Sequence, residues 1–149
     1  MARILVTGGT GYIGSHTVVE LMQQGYDVVI VDNLSNSNSD VVDGITAITG
    51  KRPAFEQVDC NDIAAMDEVL NRYSDIEAAI HFAASKAVGE SVEQPLLYYR
   101  NNLMSLVTLL EQMKKQQSEI ERYKDGMMAS AEVVKQLIKE LNTACGNGR

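Results

Sequence analysis

Between residues 8 and 14 the chain places four glycines, Gly8, Gly9, Gly11 and Gly14, in seven positions. An apolar, β-branched run, Arg3–Thr7, stands immediately before them, and a helical pattern begins at Tyr12. A turn of this kind joins a strand to a helix, and glycine lets its backbone bend sharply and approach a neighbour closely. Gly9-Thr10-Gly11-Tyr12-Ile13-Gly14 satisfies G-x-G-x-x-G, and Gly8, Gly11 and Gly14 also give a G-x-x-G-x-x-G spacing. Alone, either spacing says only that the backbone turns. Entering a helix, its N–H groups and the helix dipole point at one spot, which suits a pyrophosphate.

The pattern then repeats. Tyr12–Gln24 is helical, with Ile13, Thr17 and Leu21 on one side, and stops at Gly25. Asp27–Val31 reads as a buried strand, Asp40–Thr49 as a helix ended by Gly50, and Pro53–Val58 as a more alternating strand nearer an edge. Ile63–Tyr73 is helical through Met66, Val69 and Leu70, and Ala78–Ala83 is a fourth strand. Strands separated by helices imply parallel pairing through right-handed crossovers. The expectation is an α/β, Rossmann-like doubly wound parallel sheet, limited to about four strands, with a C-terminal helical extension. With no fifth strand, Ala78–Ala83 is left at an edge, and the C-terminal segment is the candidate cover.

After Pro95, a favoured first helical residue, the period changes. Leu96, Tyr99, Leu103, Leu106, Leu110 and Met113 share one helix face, and the phase continues through Ile120, Met127, Ala131, Val134, Ile138 and Leu141. Either one helix runs to about Asn142 or two meet near Asp125-Gly126; the turn dipeptide, and a capping box from Ser118 to Glu121, favour two. The ending GNGR is expected to fray. The organisation read is 1–115 as a dinucleotide-binding domain and 116–149 as an amphipathic helical extension, packed on its own chain or on a partner.

Asp32 ends the second strand, 18 residues after Gly14. A carboxylate there can accept from both ribose hydroxyls of an adenosine and repels a 2′-phosphate. No Arg or Lys follows before Lys51, so NAD is expected rather than NADP. With 13 basic and 20 acidic residues, the net charge of −7 argues against nucleic acid and anionic membranes as partners. No apolar run approaches a membrane span, and Ile4–Val6 reaches glycine too soon for a signal peptide. Cys60 and Cys145 lack metal or CxxC spacing and read as free thiols, which suits the cytoplasm. His16 and His81 have no second ligand at metal spacing, so packing or hydrogen bonding is the expected role and no metal is expected.

Three stretches make the sequence more specific: VTGGTGYIGSHT, VDNLSNS and HFAASKAVGESVEQPLLYYRNN. Together they resemble the UDP-glucose/UDP-galactose 4-epimerases of the extended short-chain dehydrogenase/reductase superfamily, from about residue 2 to 115. The third stretch discriminates, because sugar-nucleotide dehydratases share the glycine loop but differ after the fourth strand. The resemblance implies that Gly8, Gly11, Tyr12, Ile13 and Gly14 cradle the pyrophosphate of NAD. It implies that Asp32, Asn33, Asn36 and Ser37 hold the adenosine ribose side, and that Asp59 accepts from the adenine amino group with Cys60 beside it. The family more usually has an aliphatic residue at the Cys60 position. Phe82, Ala83, Ala84, Lys86 and Asn101 would lie near the nicotinamide half.

The family also uses a tyrosine with a lysine four residues on. None of the six tyrosines here satisfies that spacing: His16, Ile30, Glu77, Asn102, Leu103 and Met127 occupy the position after Tyr12, Tyr26, Tyr73, Tyr98, Tyr99 and Tyr123. No catalytic residue is therefore assigned. Past about Lys115 the sequence departs from the family. The expectation is an epimerase-like NAD-binding portion, inactive alone, with UDP-hexose a partner by family only and a homodimer through helix 95–115. The alternatives are a non-catalytic module acting through its C-terminal helices, and a partner chain that supplies the missing half.

Overall fold

The computed structural model describes residues 2–116. In chain order these form β1 (Arg3–Thr7), α1 (Tyr12–Gln23), β2 (Asp27–Val31), α2 (Asp40–Thr49) and β3 (Ala54–Glu56). There follow α3 (Ile63–Arg72), β4 (Ile76–His81), α4 (Val88–Glu93) and α5 (Pro95–Lys115). The strands make one parallel sheet of order β3-β2-β1-β4. The winding reverses between β1 and β4, and in a doubly wound sheet that reversal opens a crevice at the carboxyl ends of the strands.

Both faces of the central strands are buried, as their unbroken apolar runs require. Ile4, Val6, Val28 and Ile30 face one side with Val18 of α1 and Val42 and Ile45 of α2. Leu5, Val29 and Val31 alternate with them and are fully buried too. Met66 and Leu70 of α3, and Leu109 and Met113 of α5, are buried in turn, and those two helices pack on each other. At the amino ends of the strands, away from the crevice, Arg3 lies 2.5 Å from Asp75 and 3.9 Å from Asp27, which also pairs with Lys51.

Several boundaries differ from the sequence reading. β3 covers three residues rather than Pro53–Val58, because β2 offers it only Val29–Val31 as partners. β4 begins at Ile76 and ends at His81, so Phe82 and Ala83 belong to the loop after it. The six-residue α4 was not expected. On α5 the apolar stripe of Leu96, Tyr99 and Leu103 faces outward, at 81%, 66% and 57% exposure. The buried face is mixed instead: Tyr98, Ser105, Thr108, Leu109, Gln112 and Met113. The extension 116–149, apart from Gln116, together with the break near Asp125-Gly126, the capping box at Ser118, the frayed end and any cover over the β4 edge, lies outside the described residues. Among the described residues no helix is long and apolar enough to cross a membrane.

Candidate functional site

The glycine turn opens the crevice. Gly8 adopts a left-handed φ of +68°, its N–H donates to Val31 O at 2.8 Å, and Gly11 N–H closes back on Gly8 O at 3.1 Å. A Cβ on Gly8 would lie 2.7 Å from Ala83 N, so the turn and the loop after β4 touch backbone to backbone. Gly11 is the N-cap of α1, and no side chain caps the helix's first N–H groups. Such groups are the ones a helix offers to an anion.

Asp32 stands at the end of β2 with only 9% exposure. Its Oδ2 accepts from Thr10 N–H at 3.2 Å, and its Oδ1 from Leu34 N–H at 2.9 Å and Ser37 Oγ at 3.3 Å. Leu34 holds a positive φ of 60°, a conformation that a non-glycine residue keeps only when its surroundings fix it. Across from it, Asp59 accepts from Asn61 N–H and Nδ2 at 2.8 and 3.0 Å, and from Asn33 Nδ2 at 3.2 Å. Partial burial pushes the Asp59 carboxyl up, but these donors outweigh it and hold the group below the usual range, as a carboxylate. Cys60 is the opposite case. Burial, reinforced by Asp59 and Asp32, pushes its thiol up to about 12, so it stays protonated and serves as an apolar wall.

The loop after β4 bounds the other end. Ala83 N–H reaches Thr7 Oγ1 at 3.4 Å, and Ser85 is gripped from α5. Tyr98 OH donates to Glu90 Oε2 at 2.6 Å and accepts from Ala87 N–H at 3.1 Å, tying α4 to α5. The hydrogen bond to Glu90, with burial, raises the Tyr98 pKa, so this tyrosine stays a neutral phenol. His81 lies behind the loop, its Nδ1 2.7 Å from Thr7 Oγ1 and its Nε2 3.3 Å from Ser105 Oγ. Burial lowers its pKa, so it packs as a neutral ring. His16 Nδ1 meets Tyr12 O at 2.7 Å. Among the described residues no group of three or more His, Cys, Asp or Glu is placed to hold a metal.

One open cavity of about 580 Å³ is lined by all sixteen residues expected from the sequence, from Gly8 through Asp32 and Asp59 to Lys86 and Asn101. It is also lined by eight that were not: Ser35, Val58, Asn61, Ser85, Ala87, Glu90, Leu97 and Ser105. Leu97 and Ser105 stand four residues either side of Asn101 on α5, so helical spacing was the signal that could have found them. Asn61 had no such signal, since it lies in a loop five residues past the end of β3.

A family model described as GDP-mannose 4,6 dehydratase matches residues 5–133. The chain is 56% identical over 112 residues to the UDP-glucose 4-epimerase uge1 of Schizosaccharomyces pombe, covering 75% of this chain and 31% of that one. It is 49% identical over 112 residues to a UDP-glucose 4-epimerase of Klebsiella pneumoniae, covering 75% and 80% of the two. Among solved structures, the UDP-glucose 4-epimerase of Bifidobacterium longum in complex with NAD+ and UDP superposes with a TM-score of 0.76 at 45% identity. That match covers 78% of this chain and 35% of the other. The chain thus spans about a third of the length of relatives such as those of S. pombe and Bacillus subtilis.

Proposed function

The chain belongs to the UDP-glucose 4-epimerases, within the family that the GDP-mannose 4,6 dehydratase model describes, and from that premise we propose that it is an NAD-binding, epimerase-like portion. In this reading residues 1–115 form the binding domain. The observation that carries it is the sharing of one cavity by the glycine turn, the buried Asp32 carboxylate and the Asp59 loop. The fit to a dinucleotide is supported by the turn itself, where a Cβ on Gly8 or Gly14 would strike backbone of the turn or of the loop after β4, so only glycine lets the turn close this tightly beside the uncapped start of α1. Gly8, Gly11, Tyr12, Ile13 and Gly14 would hold the pyrophosphate. Asp32, Asn33, Asn36 and Ser37 would take the adenosine ribose, and Asp59 with Cys60 the adenine. Phe82, Ala83, Ala84, Lys86 and Asn101 would take the nicotinamide half. When bound, NAD supplies a hydride acceptor; this chain's residues bind it and orient it.

Epimerisation of a UDP-hexose also needs a proton acceptor at the sugar hydroxyl. Tyr12 lines the cavity at its lip, 83% exposed, with His16 rather than Lys four residues on. Tyr98 is committed to Glu90. The reading is therefore that this chain alone does not turn over a UDP-hexose. A second reading, a homodimer through helix 95–115, is favoured by the outward stripe of Leu96, Tyr99 and Leu103. The free thiol of Cys60 is in keeping with a reducing cytoplasm.

Calorimetric titration with NAD, NADP and the Asp32→Ala variant tests the proposal. NAD should bind, NADP should bind at least about tenfold more weakly because its 2′-phosphate meets a buried carboxylate, and the variant should lose the discrimination. Absence of heat with NAD overturns the cofactor assignment, and conversion of UDP-galactose by this chain overturns the inactivity.

A further inference from the structure

The two ends of the cavity are joined by side-chain amides that neither the glycine turn nor Asp32 explains. Asn102 of α5 grips Ser85 at two backbone atoms: its Oδ1 accepts from Ser85 N–H at 2.8 Å and its Nδ2 donates to Ser85 O at 3.0 Å. Because both partners are backbone groups of fixed polarity, the orientation of the Asn102 amide is determined. Its neighbour Asn101 then has one consistent orientation. Nδ2 donates to Asn102 Oδ1 at 3.2 Å and to Ser85 Oγ at 2.9 Å, which turns Oδ1 toward the Asp59 loop. There it accepts from Asn61 Nδ2 at 2.8 Å, and the same Nδ2 donates to Asp59 Oδ1 at 3.0 Å. The polarity set at Ser85 therefore runs through three amides to a carboxylate about 26 residues earlier in the chain. Its cost is visible at Asn61, whose Oδ1 is buried with no partner. Reversing that amide would set its oxygen against Asp59 Oδ1 and Asn101 Oδ1, which is worse.

We propose that Asn102, Asn101 and Asn61 form an amide relay that sets the Ser85–Ala87 loop relative to the Asp59 loop, and that Asn102 and Asn61 are positioning residues for the nicotinamide half of the dinucleotide. The proposal rests on the NAD-binding reading. Asn102 does not line the cavity, so it acts through Ser85 rather than on a ligand. Lys86, next to Ser85, lines the cavity and is exposed, so its approach to a ligand depends on how the loop backbone is held. α5 thereby fixes both loops in one register.

The test uses the full chain carrying Asn102→Ala, titrated with NAD and with AMP, together with amide hydrogen exchange at Ser85. Expected is an NAD affinity about tenfold weaker, about 1.4 kcal/mol, an AMP affinity within about twofold of the parent, and faster exchange at Ser85. Equal weakening toward NAD and AMP, or unchanged exchange at Ser85, overturns the relay. If Asn102→Ala does not fold, Asn61→Leu severs the other end and is read for the Ser85 exchange alone. If the parent chain binds neither NAD nor AMP, the NAD-binding reading fails, while the exchange measurement still decides whether the relay holds the loop.

Discussion

Replacing Gly14 by Ala is the sharpest perturbation the glycine turn allows. A Cβ built there stands 2.1 Å from Gly8 O and 2.9 Å from both Gly8 C and Gly9 Cα. All three are backbone atoms of the turn, so no side chain can swing aside. Reaching ordinary contact requires the start of α1 and the turn to part by about 1 Å or more, since a carbon seldom approaches a carbonyl oxygen closer than about 3.3 Å. The turn is tied by Gly8 N–H to Val31 O and by Gly11 N–H to Gly8 O, so the parting strains both bonds. Overpacking against a fixed backbone costs about 3 kcal/mol, the top of the usual range. For a chain of this size that lowers Tm by roughly 10 °C. The anion cradle widens at the same time, so NAD binding should fall beyond detection by calorimetry. Gly44, in the middle of α2 with nothing within 4 Å of its Cβ position, is the internal control. Gly44→Ala should stabilise by about 0.5–1 kcal/mol, raising Tm by roughly 2–3 °C and leaving NAD binding intact. Thermal unfolding by circular dichroism and titration of both variants decides the matter. A Gly14→Ala chain that melts with the parent and binds NAD equally would refute the steric argument.

The depressed pKa of His81 has a pH consequence. The unfolded ring takes up a proton near the ordinary 6.5 while the buried ring resists it, so the unfolded state binds more protons and stability falls as pH drops below about 6.5. His81→Asn should flatten that limb of a urea-unfolding series between pH 7.5 and 5.5, and an unchanged slope removes His81 as its cause. The Cys60 peptide should resist alkylation at pH 8 until denaturant is added, because the thiol is buried and pushed up to about 12; labelling of the folded chain at that peptide would contradict the assignment. If helix 95–115 pairs two copies, Leu96→Glu with Leu103→Glu should give a monomer by light scattering where the parent is a dimer. A monomeric parent would withdraw the pairing.

β1 and β2 match the sequence reading residue for residue, because a strand buried on both faces shows as an unbroken apolar run that ends where glycine or a polar loop begins. β3 was harder. Its length is set by the three residues of β2 it pairs with, which is tertiary information. α4 escaped notice because six mostly exposed residues carry too little periodicity. On α5 the spacing of Leu96, Tyr99 and Leu103 correctly indicated a helix, but these three face outward while Met113, at the end of the same series, is buried. The inward side carries Asn101, Asn102 and Ser105, which are held there by hydrogen bonds to Ser85, Asn61 and His81 rather than by hydropathy. The site was legible where motif residues meet the ligand side directly. Residues that act through another, such as Asn102, were not, since their partners come together only in the fold.

The loop after β2 takes its shape without help. Thr10, Leu34 and Ser37 all donate to the Asp32 carboxylate, and Leu34 is kept at a left-handed φ by that arrangement. A ligand arriving here meets a preorganised edge and spends little binding energy on ordering it. The kinetics should carry that signature: the observed association rate should climb linearly with ligand concentration, in a single phase, with no plateau from a prior isomerisation of the loop.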